Sequence, residues 1–226
     1  EEGWLEVEHK GREEKFLYPR QASSLYHTSK IMDTDLIWFL VRNNGLRVTD
    51  LMQGPVFGSP ISKDNWEDSL QSHLCYDDIF GTVFNRFFVQ AISNIPLTIY
   101  GEGSQTRGYL SLNDAIRCID LCIDNPPEKG EFKIRNQFTQ VLTVSEIAKL
   151  VSQSAKNLGF EGEVRHIINP RKEKEGHYYN PIAESYAKLG FVPSILDESY
   201  LIDQLTWLDN HRASFVLDQV MPSVTW

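Results

Sequence analysis

Tyr26 and Lys30 are the residues of this chain whose types and spacing suit acid–base chemistry. They lie four apart in the segment SLYHTSK (24–30), and a helix places such a pair on one face. A phenol with a pKa near 10 is a poor acid–base group at neutral pH, and a nearby ammonium favours its ionised form. The pair is therefore a candidate proton-transfer site. The same spacing also fits a surface Tyr–Lys pair on an amphipathic helix.

The elements that must position this pair follow an α/β pattern, because apolar periods alternate between helical and strand-like. Ser23 or Ser24 is the predicted N-cap of a helix that runs to about Asn43, with Gly45 as its stop. A short buried strand is predicted over Leu46–Met52. Further helices are predicted over residues 82–93, 113–124 (capped by Asn113), 143–159, 182–189 and 198–215. Further strands are predicted over residues 97–100, 131–136 and 164–168, and a glycine-rich loop is predicted over residues 101–108.

The overall composition argues against several classes of partner. The chain has 226 residues, a formal net charge of −9 and a pI of about 5.2, whereas binders of nucleic acid or anionic membranes present a basic face. No apolar run approaches the ~20 residues that a membrane span needs. Cys75, Cys118 and Cys122 form an odd, unpatterned set, which indicates a reducing compartment such as the cytoplasm or a plastid stroma. For Cys118 and Cys122, four apart on a predicted helix, a core role is favoured over a metal site.

The order of the motifs resembles that of a known family. The segment QGPVFG (53–58) follows the YxxxK helix and its strand, and LTIYGEGSQTRGY (97–109) comes later. This order resembles the extended short-chain dehydrogenases/reductases that act on nucleotide sugars. In that family a YxxxK helix precedes a strand and an aromatic–glycine turn, and a GxGxQxR loop contacts the nucleotide. Most members carry an aspartate where Gly108 stands and a small residue where His27 stands.

Longer segments resemble one branch of this family, the enzymes that add sulfite to UDP-glucose. These segments are SSLYH (23–27), QTRGYL (105–110), NQFT (136–139), NPR (169–171), HYYN (177–180) and MPSV (221–224). The resemblance spans essentially the whole chain.

The resemblance implies an α/β fold made of the C-terminal part of an NAD-binding Rossmann-like sheet and a smaller α/β lobe that binds the nucleotide sugar. Residues 1–58 would complete the Rossmann-like domain, and residues 59–226 would mainly form the lobe, with some segments returning to the sheet. No G-x-G-x-x-G turn precedes Tyr26, although the pyrophosphate of the coenzyme binds at such a turn. We therefore expect the chain to be the C-terminal portion of the enzyme.

The resemblance also implies roles for the residues near the YxxxK motif. Tyr26 would take a proton from a sugar hydroxyl while hydride leaves to NAD, and Lys30 would bind the nicotinamide ribose and lower the tyrosine pKa. His27 would face the sugar or the incoming sulfite, or else pack on the flank of the helix. Gln53 and Pro55 would lie where the chain passes the nicotinamide and the sugar.

A second group of residues would bind the nucleotide. Arg107 would contact the UDP diphosphate, because a guanidinium matches phosphate oxygens in a two-point fork, and Arg171 is a second candidate for that role. Either arginine taken alone also fits a solvated surface charge. The residues expected on the uridine side are Asn85, Thr98, Tyr100 and Gln105.

The implied reaction starts with oxidation of UDP-glucose at C4 by bound NAD. Loss of water, addition of sulfite at C6 and return of the hydride would follow, so that NAD is recycled, and the product would supply a sulfolipid head group. A homodimer of the complete enzyme, formed through the YxxxK helix, is expected. Two alternatives stay open: a related UDP-sugar 4-epimerase or 4,6-dehydratase that does not use sulfite, and a fragment that binds nucleotide sugar without catalysis.

Overall fold

The computed structural model describes residues 4–17, 22, 24–59, 74–77, 79–169 and 181–221. The chain forms two compact units. Unit 1 comprises residues 1–50 and 125–134, and unit 2 comprises residues 51–124 and 135–226. The division predicted at residue 58 is one of function, between a coenzyme domain and a sugar lobe, and it stays a prediction.

Unit 1 opens with a β-hairpin that the sequence did not predict. Strands β1 (Trp4–His9) and β2 (Arg12–Leu17) pair antiparallel, and Lys10 and Gly11 turn the chain with positive φ angles of 53° and 74°. Leu5 and Val7 alternate with glutamates in β1, and Leu5 lies opposite Phe16 of β2, but these apolar side chains stay largely exposed and the second strand is mostly charged. Backbone pairing therefore defines this hairpin more than burial does.

Helix α1 (Leu25–Asn44) confirms the predicted helix and both of its ends. The Ser24 hydroxyl caps it by accepting from the His27 N–H at 3.2 Å, and Gly45 ends it in the left-handed conformation, with its N–H bonded to the Val41 carbonyl at 3.0 Å. Val41 is the one buried side chain of the helix within the described part of unit 1. Most of the apolar surface of α1 is therefore exposed.

Unit 2 contains most of the regular elements and the main core. Strand β3 (Val48–Gln53) pairs with β7 (Phe132–Gln137), and both strands continue from unit 1 into unit 2. The remaining strands are β4 (Val56–Phe57), β5 (Leu97–Tyr100), β6 (Thr106–Ser111), β8 (Gln140–Thr143) and β9 (Val164–Ile167). The helices are α2 (Val83–Ile92), α3 (Leu112–Asp124), α4 (Val144–Asn157), α5 (Glu184–Ala187) and α6 (Glu198–Asn210), followed by 3-10 turns at Arg212–Ser214 and Leu217–Gln219.

The strand pairings confirm the α/β class. Strand β6 lies between β4 and β8, parallel to β4 and antiparallel to β8, and β5 pairs with β9 in parallel. Parallel pairs need a crossover between their strands, and in this chain the crossovers contain helices. Helix α2 packs against α4, α6 and β5 and forms the centre of the core, where Phe84 stacks on Phe57 with ring centroids 4.0 Å apart.

Several details of the sequence prediction are wrong, including the burial of the strand predicted over Leu46–Met52, since no residue of β3 is buried. Helix α3 begins at Leu112 rather than at Asn113, because the Ser111 hydroxyl accepts from the Asp114 N–H and takes the capping role. Strand β6 already begins at Thr106 and shortens the predicted loop. The helix predicted over 182–189 is limited to α5, and the helix predicted to reach residue 215 ends at Asn210. Strand β8 was not predicted.

A buried carboxylate ties three segments of unit 2 together. Asp114 has no exposed surface, and its oxygens accept from the Thr139 hydroxyl at 2.7 Å and from the Ser194 N–H and hydroxyl at 3.0 and 2.8 Å. Arg117, one turn further along α3, lies 3.1 Å away. Because a buried charge is tolerated only when it is paired and hydrogen-bonded, this network constrains the positions of α3, the turn before β8 and the segment before α6.

We expect Asp114→Ala to destabilise the protein by roughly 3 kcal/mol, since it leaves the Thr139 hydroxyl and the Ser194 donors without their acceptor, at about 1–3 kcal/mol for a buried unsatisfied group. Thermal and urea melts measure this loss. Asp120→Ala removes the same charge from an exposed position of α3 and should change stability by less than about 0.5 kcal/mol. Equal melting points for the two variants would contradict the structural role of Asp114.

Candidate functional site

The first turns of α1 bring Tyr26, His27 and Lys30 together. The Lys30 ammonium lies 5.7 Å from the centroid of the Tyr26 ring, and the Tyr26 side chain is 65% exposed. The ammonium also binds the Asp33 carboxylate at 3.1 Å. The hydrogen bond and the negative charge of Asp33 raise the pKa of Lys30 above its ordinary value. The lysine is therefore a firmly cationic neighbour of an exposed phenol.

His27 is held beside Tyr26 by the cap of the helix. Its Nδ1 lies 2.8 Å from the Ser24 hydroxyl, which also caps the backbone. The His27 and Tyr26 rings meet edge to face, with centroids 5.4 Å apart. One serine therefore starts the helix and orients the imidazole, so the histidine is placed by more than packing on the helix flank.

Unit 2 contains a cavity of about 230 Å³ whose charge differs from that of the whole chain. Among the described residues, two arginines and no carboxylate line it, although the chain carries a net charge of −9. A cavity with this lining favours an anionic ligand. The lining residues are Pro55, Gly81, Thr82, Val83, Arg86, Tyr100, Gln105, Arg107, Tyr109 and Val144.

The start of α4 holds the loop that carries Gln105. The Val144 N–H donates to the Gln105 carbonyl at 3.2 Å, and the Ser145 N–H donates to the Gly103 carbonyl at 3.0 Å. Thr143 and Glu146 form the predicted capping box, with the Thr143 N–H donating to the Glu146 carboxylate at 2.7 Å. The cap thus fixes the helix and, through the helix, one wall of the cavity.

Gln105 and Arg107 present polar groups at this wall. Gln105 is 6% exposed, and its Oε1 has no hydrogen-bond partner within the described segments. Arg107 lies on β6, opposite Leu142 of β8, and its Nη1 donates to the Thr106 carbonyl at 2.8 Å. The cavity therefore combines a buried acceptor with a guanidinium held on a strand.

Arg86 also lines the cavity, although it was not predicted as a site residue. It is 8% exposed, its Nη2 donates to the Thr98 carbonyl at 2.8 Å, and its Cζ lies 4.1 Å from the centroid of the Tyr100 ring. A charged residue within the apolar run FNRFFVQAI (84–92) was the signal available in the sequence. Such a residue must find partners when the helix is buried.

Asn85 and Thr98, predicted on the uridine side, have their polar groups engaged within the protein. Asn85 accepts from the Gly58 N–H at 2.8 Å and donates to the Cys75 carbonyl at 3.0 Å. The Thr98 hydroxyl accepts from Gln90 at 2.9 Å. Both residues are buried, and neither lines the cavity. In this structure they hold the elements around the cavity.

The other predicted site residues fall in different places. Gln53, at the end of β3, is exposed and does not line the cavity, whereas Pro55 does. Arg171 lies outside the described residues. Tyr100 is half-buried at the end of β5 and borders the cavity together with Gln105 and Arg107.

A close approach of two backbones shapes the edge of the cavity. A Cβ atom on Gly54 would lie 1.7 Å from the Gly108 carbonyl oxygen, closer than any real contact. The neighbouring Pro55 carbonyl accepts from the Leu110 N–H at 3.1 Å. Glycine at position 54 therefore allows the chain after β3 to approach β6, where Arg107 lies.

The described residues contain no group of three or more His, Cys, Asp or Glu side chains that could hold a metal ion. Cys118 is buried in a small core cluster, and burial raises the pKa of its thiol to about 12. Such a thiol is protonated at neutral pH and is a poor nucleophile or ligand.

In the part of the chain that the structure describes, no helix is long and apolar enough to cross a membrane.

Comparison with known proteins identifies relatives for this arrangement. The chain is 42% identical over all of its 226 residues to the chloroplastic UDP-sulfoquinovose synthase of Spinacia oleracea. It is 43% identical over 183 residues, or 81% of its length, to the UDP-sulfoquinovose synthase of Sulfolobus acidocaldarius. The chain resembles the UDP-sulfoquinovose synthases. The resemblance inferred from the longer segments is thereby confirmed. The chain spans about half the length of these curated relatives, 47% and 46% respectively.

Solved structures confirm the Rossmann-type fold. The UDP-glucose 4-epimerase of Thermotoga maritima with UDP-glucose superposes with a TM-score of 0.62 at 18% identity, covering 82% of this chain and 53% of the epimerase. The UDP-glucose 4-epimerase of Thermus thermophilus in complex with NAD gives a TM-score of 0.61 at 18% identity, covering 88% of this chain and 57% of that one. No protein-family model matches the chain.

We expect Gly54→Ala to destabilise the protein by about 3 kcal/mol or more, because the new methyl group meets a backbone carbonyl that cannot give way. Thermal melts measure the effect. Gly159→Ala is the control, since its Cβ would meet nothing within 4 Å and only its φ of +87° opposes the change. The control should cost about 1–2 kcal/mol. A Gly54 variant that melts like the parent would contradict the close approach of β3 and β6.

Proposed function

We propose that this chain is the UDP-sugar-binding and proton-transfer part of a UDP-sulfoquinovose synthase. The complete enzyme would make UDP-sulfoquinovose from UDP-glucose and sulfite with recycled NAD, the first step towards a sulfolipid head group. The observation that carries the proposal is the match over the full length of the chain to the spinach synthase. The two arginines that line the cavity of unit 2 support a nucleotide ligand independently.

The lining of the cavity supports UDP recognition in three ways. Arg107 offers paired N–H donors for the diphosphate. The buried Oε1 of Gln105, which has no protein partner among the described residues, suits the imide N–H of uracil, because a buried acceptor needs a donor. Tyr100 offers an aromatic ring at the cavity edge for contact with a flat base. Arg171 remains a proposed second ligand of the diphosphate.

Proton transfer is proposed for the start of α1. Tyr26 would take the proton of the 4-hydroxyl of the sugar, and its exposure leaves the phenol accessible to a substrate. Lys30 would hold a ribose hydroxyl of the coenzyme. His27, fixed by Ser24, would face the sugar or the sulfite.

NAD, when bound, would accept the hydride from C4 and later return it. The residues proposed to border it are Tyr26, Lys30, Gln53 and Pro55. The adjacent phenol and ammonium of α1 fit the ribose end of the coenzyme, since both are exposed and can hydrogen-bond a hydroxyl. The pyrophosphate end needs a glycine-rich turn, and no such turn precedes Tyr26 in the sequence.

A homodimer through α1 is also proposed for the complete enzyme. Several large apolar side chains of the helix are exposed, and contiguous apolar surface of this kind marks contact sites. They include Leu25, Met32, Leu36 and Phe39. We further propose the cytoplasm or a plastid stroma as the site of action.

The first test is a calorimetric titration of UDP-glucose into the chain, with and without NAD. We expect binding that does not change with NAD, and at least tenfold weaker binding for Arg107→Met, because a hydrogen bond to a charged group contributes about 1.5–3 kcal/mol. Arg165→Met is the matched control, since Arg165 is an exposed arginine of β9 paired with Glu163. Absence of UDP-glucose binding to the parent chain would overturn the proposal.

A second test separates chemistry from binding. In an enzyme chain that also supplies the glycine-rich coenzyme turn, Tyr26→Phe should lower turnover by about 10²–10⁴-fold, because the general acid–base group is lost. The affinity for UDP-glucose should stay within about twofold, since the phenol is proposed to act in proton transfer. The assay is the formation of a sulfonated sugar nucleotide, and product formed without sulfite would instead favour an epimerase or dehydratase.

A further inference from the structure

Arg86 is a buried cation of unit 2, and its position is determined from two sides. The Thr98 carbonyl of β5 accepts from its Nη2 at 2.8 Å. The Tyr100 ring of the same strand lies 4.1 Å from its Cζ, which is well within the range of a cation–π contact. Helix α2 and the end of β5 are thus joined through a single guanidinium.

The strand that carries Tyr100 is itself tied to α2 by a second residue. The Gln90 side chain donates to the Thr98 hydroxyl at 2.9 Å and accepts from the Thr98 N–H at 3.1 Å. Gln90 and Thr98 are almost completely buried. Both ends of this link are buried, so Gln90 holds β5 firmly against α2. We therefore expect loss of the Arg86 side chain to change the orientation of the Tyr100 ring rather than the position of the strand.

The two arginines of the cavity differ in surroundings. Arg107 is half-buried on β6, and its Nη1 donates to the adjacent Thr106 carbonyl. Arg86 is 8% exposed and packs along an aromatic ring. A guanidinium of the first kind suits phosphate, whereas one of the second kind stabilises the orientation of its aromatic partner. The cavity is therefore lined by one arginine on strand β6 and by a second arginine in contact with the Tyr100 ring.

We propose that Arg86 is a positioning residue for the nucleoside half of the ligand. It holds the Tyr100 ring as a platform for the flat base, whereas Arg107 serves the diphosphate. This inference rests on the proposed function, because it assigns the parts of the same nucleotide to the two arginines. It predicts that the two arginines govern different ligand fragments.

Three probes separate the two roles: uridine, UDP and inorganic pyrophosphate, titrated into the chain and followed by ligand-observed NMR. Arg86→Met should weaken uridine and UDP by a similar factor, about tenfold, and leave pyrophosphate within about twofold. Arg107→Met should weaken UDP and pyrophosphate and leave uridine unchanged. A merely structural loss would lower the affinity for all three probes together.

A double variant tests whether Arg86 acts through the ring. In the Tyr100→Leu background, Arg86→Met should add less than about a twofold loss of uridine affinity, because the group that it positions is gone. If Arg86→Met does not fold, Arg86→Lys keeps the charge but loses the planar contact, and it should show the same selective loss of uridine.

The outcomes distinguish this inference from the proposed function. A parent chain that binds neither UDP nor uridine would overturn both. A parent chain that binds UDP, together with an Arg86 variant that loses pyrophosphate while keeping uridine, would overturn the inference alone and make Arg86 a phosphate ligand.

Discussion

Helix α2 has no solvent available to its polar side chains, because every residue from Phe84 to Ile92 is buried. It nevertheless carries Asn85, Arg86 and Gln90, and each must find a partner inside the protein. An unsatisfied buried polar group costs about 1–3 kcal/mol. Asn85 binds the turn after β4. Arg86 and Gln90 both bind Thr98 of β5. The burial of one helix thereby determines the positions of the turn, the strand and the wall of the cavity.

The regular elements with strong end signals could be predicted from the sequence. Ser24 and Gly45 define α1 because a side-chain cap and a left-handed glycine are local features that do not depend on tertiary packing. The same holds for the capping box at Thr143. The hairpin before α1 was not predicted because its second strand, REEKFL (12–17), is mostly charged, although Leu5 and Val7 alternate with glutamates in the first strand. The capping role of Ser111 depends on the strand that precedes α3, which the helical period alone does not reveal.

The residues of the candidate site also differ in whether the sequence alone can identify them. Tyr26 and Arg107 could be identified because they stand in motifs whose order is itself informative. Arg86 could not, since its role depends on burial and on a ring fourteen positions away that only the folded chain brings near. The resemblance placed Asn85 on the uridine side, which stays a prediction, and in the structure its amide group bonds to the Gly58 N–H and the Cys75 carbonyl. Spacing in the sequence does not reveal which way a buried amide is turned.

The capping box of α4 makes the wall of the cavity sensitive to acid. The backbone N–H and the hydroxyl of Thr143 lower the pKa of Glu146 below its ordinary value of 4.5. A carboxyl whose folded pKa is depressed contributes stability above its unfolded pKa and loses that contribution as the pH falls through the folded value. Two backbone N–H groups in the first turn of this helix donate hydrogen bonds to the loop that carries Gln105. Protonation of Glu146, two residues after the cavity-lining Val144, therefore weakens the cap that holds the segment carrying Gln105.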